Sequence, residues 1–158
     1  MKRTTQQLLL GCASLMLTAT LYADNTQPKK KELFNAYPGA YTAKILSVKG
    51  TNEIELLAYV WTGYPKNLVA SLQGIAVPEI NEKSPVCEKK IAEKGLAFTE
   101  EFLAKSKKVE LHDIYMKDTS TRDGITTIST EEGSLATALI NKGLARSSSV
   151  DKKTPWCS

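Results

Sequence analysis

The sequence predicts an α+β domain, mainly β, in which three strands, a helix, two strands and a second helix follow one another. Three observations predict it. Ile54, Leu56, Ala58 and Val60, then Leu68, Ala70 and Leu72, recur at every second position, the period of half-buried strands. From Ile91 through Gly95, Phe98 and Phe102 the spacing changes to fours and threes, the period of a helix. After Val109 a strand pattern and then a helical one appear again. This order fits a small five-stranded barrel of the oligonucleotide/oligosaccharide-binding (OB) type, with one helix between strands three and four and one after strand five; the pattern alone also leaves other α+β folds open.

Taken in order, Tyr41–Val48 is rich in β-branched and aromatic residues and reads as the first strand, with strand signals beginning at Ala40. Gly50-Thr51-Asn52 is a turn, and the second strand runs through Trp61. Gly63-Tyr64-Pro65-Lys66-Asn67 turns the chain into the third strand, L-V-A-S-L-Q-G-I-A-V-P-E, where Gly74 permits a close backbone approach and Pro78 ends the ladder. Tyr59, Trp61 and Tyr64 lie at strand ends, where aromatic residues serve packing or the stacking of bases. Ser84-Pro85 starts the first helix, and the lysines from Lys105 to Lys108 complement the dipole at its end. Val109–Met116 and Ile125–Ser129 are the last two strands, separated by a polar turn. The second helix spans Gly133–Lys142, with Leu135, Ala138 and Leu139 on one face and Gly143 as its stop. His112, the one histidine, falls on the fourth strand with no visible partner and reads as structural.

A chain of 158 residues, 42% apolar and 24% charged, holds one compact core. Residues 1–23 read as an export signal: a basic start at Lys2-Arg3, an apolar run from Leu8 to Leu21, and a small-residue cleavage site ending at Ala23. The apolar run is shorter than the ~20 residues that span a bilayer, so no transmembrane span is expected in the mature chain. Leu9-Leu10-Gly11-Cys12 has the local form of a lipid-attachment box, but the apolar run continues beyond it; soluble export to the periplasm or the medium is the expectation, with a lipoprotein anchored at Cys12 as the alternative. Residues 24–39, which include Lys29, Lys30 and Lys31, read as a polar linker, 40–150 as the folded domain and 151–158 as a tail.

Cleavage would remove Lys2 and Arg3 from 21 basic side chains, leaving 19 against 17 acidic ones. A balance this close gives little long-range attraction to a polyanion, which favours a protein or glycan partner while leaving nucleic acid possible. It would also remove Cys12 and leave Cys87 and Cys157 as a pair. With no further Cys or His at ligand spacing, an oxidising compartment would join them as a disulfide that tethers the tail and brings Trp156 close, unless they join a partner chain.

The stretch S-L-Q-G-I-A-V-P-E, C-E-K-K-I-A-E-K-G-L-A-F-T-E-E-F-L and the ending G-S-L-A-T-A-L-I-N-K-G-L-A-R resemble motifs of the staphylococcal nuclease (thermonuclease) family. The resemblance covers residues 40–146 and implies the OB barrel. It departs at Ala136, where the family usually has asparagine.

That family hydrolyses phosphodiesters with a hard cation on carboxylates, a glutamate that activates water, and two arginines on phosphate. The resemblance carries the glutamate onto Glu79 and the second arginine onto Arg122. The first arginine falls on Ser71, the two metal aspartates on Thr51 or Asn52 and on Ala76, and the threonine beside the latter on Val77. Glu53 would replace the first carboxylate only through a bulge, because strand alternation turns it from the face of Asn52. With no strong metal site left, the expectation is a catalytically inactive binding or structural module of the cell envelope with no cofactor. The alternative is a metal-dependent phosphodiesterase using Glu79 and Arg122, with Ca2+ as its cofactor.

Overall fold

The computed structural model describes residues 32–150 and 154–157. The proposed export signal, Cys12, residues 24–31 of the proposed linker, and residues 151–153 and 158 of the tail lie outside the described residues. Every described element belongs to one unit, Lys31–Ser158.

Eight strands and two helices follow in the order β1 (Phe34–Gly50), β2 (Glu53–Ala58), β3 (Lys66–Leu72), β4 (Ile75–Ala76), α1 (Val86–Lys105), β5 (Val109–Met116), β6 (Asp123–Thr130), β7 (Gly133–Ser134), α2 (Leu135–Asn141) and β8 (Arg146–Ser147). The fold is α+β and mainly β, as the alternation predicts. One sheet has the order β3-β2-β1-β5-β6-β7, and β3 also pairs with β6 in parallel, Val69 to Leu72 against Asp123 to Thr126, so that five of its strands form a ring. The ring closes around inward-facing residues of alternating strands: Ile54 and Leu56, Leu68 and Ala70, Leu111, Ile114, Met116 and Ile128 are fully buried. Leu135 and Leu139 of α2 extend this core.

The sequence-derived boundaries differ from the structure where the alternation is broken. β1 starts at Phe34, so residues 34–39 are strand rather than linker. Two register shifts, between Asn35 and Tyr37 and between Tyr37 and Ala40, hide the two-residue period there. Asp113 opposite this segment has a φ of +50°, and its carboxylate accepts the Gly39 N–H (2.9 Å) and the Asn35 side-chain amide (3.1 Å), which ties down the irregular stretch. β2 ends at Ala58, short of Trp61, and β6 extends beyond Ile125–Ser129 at both ends. β5 spans the predicted Val109–Met116. His112 does have a partner, the Ser129 hydroxyl, 2.7 Å from its Nε2.

The buried face of α1 is Gly95, Thr99, Phe102 and Leu103; Ile91 and Phe98 are only half-buried, Phe98 resting on Phe102 at a centroid distance of 5.9 Å. The helix comes so near the β1–β2 turn that a Cβ on Gly95 would stand 2.5 Å from the Thr51 hydroxyl oxygen. Gly74 has the other reason for being glycine. A Cβ there would meet nothing within 4 Å, but its φ is +78°, so the turn needs it rather than a close approach.

Candidate functional site

Three chain segments meet where β1 ends. The first is the turn after Gly50. Thr51 is buried: its hydroxyl donates to the Ala92 carbonyl (3.2 Å) and its own carbonyl accepts from the Thr99 hydroxyl (2.8 Å), so it faces α1. Asn52 faces the other way. Its carbonyl accepts the Leu72 N–H at 3.1 Å, pinning the turn to the end of β3.

The second segment is the exit from β3. Ile75 and Ala76 pair with Ser147 and Arg146, and the Ser148 N–H donates to the Gly74 carbonyl at 2.9 Å, forming a small second sheet. Pro78 is buried and Glu79 is exposed. The loop that follows folds on itself: the Ser84 hydroxyl donates to the Glu79 carbonyl (3.1 Å) and accepts the Asn81 N–H (2.9 Å), and Asn81 Oδ1 accepts the Lys83 N–H (2.8 Å). The Glu79 carboxylate itself makes no hydrogen bond or ion pair among the described residues.

The third segment is the C-terminal tail. Cys87, in the first turn of α1, is bonded to Cys157, with Cα atoms 6.4 Å apart. Arg146 donates to the carbonyls of Thr154 (3.0 Å) and Pro155 (2.6 Å) while its guanidinium lies 4.2 Å from the centre of the Trp156 ring. A cation over an indole face is attracted by the ring quadrupole, and the fork of two carbonyls fixes the guanidinium in that position.

These segments enclose an open cleft of about 850 Å³. Asn52, Ala76, Val77 and Glu79 line it together, so the β1–β2 turn and the exit from β3 share this cleft; Glu88 and Trp156 face it from α1 and the tail. Ser71 and Arg122 are not in its lining. Ser71 lies between Glu53 of β2 and Ile125 of β6. Arg122 donates to the Glu55 carboxylate and to Asn67 Oδ1 (2.7 Å), and its carbonyl accepts the Val69 N–H (2.8 Å). The Arg122 guanidinium, followed by Lys49 at 3.1 Å, holds the Glu55 carboxyl below its ordinary range. Glu53 is exposed beside Gly50 and Ser71, on β2 and outside the cleft; the bulge next to it is in β1, between Val48 and Gly50, so β2 keeps its alternation.

Sequence reasoning missed Arg146, Glu88 and the role of Trp156 as a cleft wall. Arg146 was visible only as the last residue of the G-L-A-R stretch, and nothing in that spacing shows that its partners are tail carbonyls. Among the described residues no group of three or more His, Cys, Asp or Glu side chains is arranged to hold a metal ion. No protein-family model matches this chain, and no curated protein matches it either.

Proposed function

We propose that this chain is an exported binding module: an OB-type barrel of the staphylococcal-nuclease-like family whose nuclease site is degenerate. The OB reading is supported by the ring β1-β2-β3-β6-β5, by its single parallel closure between β3 and β6, and by the position of α1 between the third and fourth strands of that ring. Export is supported by the Cys87–Cys157 bond, of a kind that persists in oxidising compartments. No helix of the described residues is long and apolar enough to cross a membrane.

One observation carries the loss of catalysis. The arginine that would neutralise phosphate, Arg122, is spent on Glu55 and Asn67 away from the cleft, while the cleft wall offers an amide at Asn52 and a methyl at Ala76 where carboxylates would hold a cation. Each preorganised charge-stabilising group lost from such a site costs about 10²–10³ in rate, so losing several leaves a cleft that binds and does not cut.

The second reading, a metal-dependent phosphodiesterase with a rearranged site, draws on the Glu79 carboxylate, unpaired among the described residues, and on Glu88 in the same cleft. A plasmid-clearing assay with calcium, magnesium or manganese separates the two. No cleavage is expected; robust cleavage that Glu79→Gln abolishes would replace the first reading with the second.

A further inference from the structure

The described part of the tail, residues 154–157, adds nothing to the barrel core, whose last member in the chain is Ala145. Thr154 and Pro155 are exposed, and Trp156 and Cys157 are half-buried. Among the described residues this segment is held at two places. Cys87 of α1 bonds to Cys157, and the Arg146 guanidinium donates to the Thr154 and Pro155 carbonyls and lies over the Trp156 ring. Arg146 does not depend on the tail for its own position, because its backbone pairs with Ala76 in the small second sheet and the Ser148 N–H is bonded to the Gly74 carbonyl. Arg146, Thr154, Pro155 and Trp156 all line the cleft, as does Glu88 next to Cys87. The covalent bond therefore fastens a wall of the cleft over its arginine, and fastens no part of the core.

We propose that the Cys87–Cys157 bond is a redox latch on this cleft. While it is intact the tail covers Arg146; when a dithiol reduces it, the tail comes off and returns only transiently, and the guanidinium opens to a ligand that offers acceptor oxygens in place of the tail carbonyls. The proposal rests on the reading of the cleft as the binding site of this module. Without the bond the tail keeps two solvent-exposed hydrogen bonds and one cation–π contact, a gain of the same order as the entropy lost in ordering four residues. With the bond, Cys157 cannot leave, and the same contacts re-form within one molecule at high effective concentration. The bond is also placed to be opened. Neither cysteine is buried, and Val86 beside Cys87 is 70% exposed. When a thiolate of the dithiol attacks Cys157 Sγ, the bond to Cys87 Sγ breaks and Cys87 leaves as a thiolate in the first turn of α1. There Pro85 supplies no side-chain cap, and the positive end of a 20-residue helix stabilises the anion. The second thiol of the dithiol then attacks the mixed disulfide and releases Cys157. The chain gains two electrons and two protons, and the dithiol becomes a disulfide.

The test follows the full chain as exported, well below its unfolding midpoint, with phenylglyoxal as the probe of guanidinium access and mass spectrometry to map the adducts. Removal of the export signal would leave Arg122 and Arg146 as the two arginines, so Arg122, held by Glu55 and Asn67, is the internal reference. After reduction with dithiothreitol, capping of both thiols with iodoacetamide and removal of the reagents, Arg146 is expected to label about tenfold faster than in the oxidised chain, with Arg122 unchanged. Cys87→Ser with Cys157→Ser should label like the reduced chain without any cap. In Trp61→Phe, which leaves Trp156 as the only tryptophan, reduction should move the emission to the red. Arg146 labelling that stays slow in the reduced chain would overturn the proposal, because the tail would then hold without the bond. Arg122 and Arg146 accelerating together, with loss of far-UV dichroism, would overturn it as well, because the bond would then be holding the barrel. These readouts need no ligand, so a failure of the binding reading, such as plasmid cleavage abolished by Glu79→Gln, leaves them unchanged and is told apart from a failure of the latch.

Discussion

The Thr99 hydroxyl on α1 donates to the Thr51 carbonyl in the β1–β2 turn over 2.8 Å, and Thr51 returns a bond to α1 through the Ala92 carbonyl. This reciprocal pair decides which residue of the turn faces the cleft. With Thr51 held against the helix, its neighbour Asn52 is the turn residue that lines the cleft, as Glu79 does.

Breaking that pair should cost stability. Thr99→Val keeps the shape of the side chain but leaves the buried Thr51 carbonyl without its donor, a loss of about 1–3 kcal/mol. Gly95→Ala would gain up to about 1 kcal/mol in helix propensity. Its Cβ, however, would stand 2.5 Å from the Thr51 hydroxyl and 2.6 Å from its methyl, and overpacking of this kind costs about 1–3 kcal/mol. The clash is expected to win, because Thr51 is held from both sides and has little room to give. Urea unfolding of the two variants measures both; a Gly95→Ala chain more stable than the parent would mean that the helix can shift away from the turn.

The tail depends on two fastenings that can be removed separately. The Cys87–Cys157 bond closes a separation of 70 residues, for which chain entropy gives about 4 kcal/mol of stabilisation. Mass spectrometry of non-reduced exported protein should find the Cys87–Cys157 linked peptide, and reduction should lower the unfolding midpoint. Arg146→Ala should leave the bond intact while making the reduced tail more accessible to protease, since Thr154 and Pro155 lose their donor and Trp156 its cation. Two free thiols in exported protein, or a dimer lost on reduction, would contradict this arrangement.

Acid should unfold the chain partly through Asp113. The Gly39 N–H and then the Asn35 amide hold its carboxyl below the ordinary 3.8, so the folded state favours the anion more than the unfolded chain does. The resulting stability is fully present above that ordinary value and is lost as the pH falls through the lowered one. Glu55, held below 4.5 by Arg122 and Lys49, adds a loss with the same sign. Asp113→Asn keeps an oxygen acceptor and a residue type that tolerates the positive φ, yet cannot titrate. Its unfolding midpoint should therefore fall less steeply with acid than the parent's; equal slopes would mean that Asp113 titrates alike in both states.

Binding to single-stranded DNA should be weak and should disappear as salt approaches the physiological range. Among the arginines that could meet phosphate, Arg122 is occupied by Glu55 and Asn67, and Arg146 by the tail. The cleft presents the carboxylates of Glu79 and Glu88. Contacts to phosphate of the remaining lysines would be mainly electrostatic and lost to counterions. An electrophoretic salt series measures this, and tight, salt-resistant binding would contradict it.

The sequence by itself determined the elements whose apolar residues recur within a few positions of one another. β5 spans the predicted residues because Val109 and Leu111 alternate and, after a shift at Asp113, Ile114 and Met116 alternate again; α2 follows from Leu135, Ala138 and Leu139 on one face and stops before Gly143, but it starts at Leu135 rather than at the predicted Gly133, because Gly133 and Ser134 pair with β6. The pairing of Cys87 with Cys157 was legible for a different reason: a removed signal would leave only those two cysteines. Local order fixes such features, since each depends on neighbours a few residues away or on a count.

Tertiary structure decided the rest. Bulges at Asn35–Tyr37 and Tyr37–Ala40 shift the period of β1, so its first residues do not look like a strand in the sequence. Which residue of the Gly50-Thr51-Asn52 turn faces the cleft depends on Thr99, 48 positions from Thr51. Arg122 and Glu55 are 67 positions apart, and the closing of β3 against β6 brings them together. A guanidinium's partner is set by distance in space, which sequence spacing does not encode once the chain has turned back on itself.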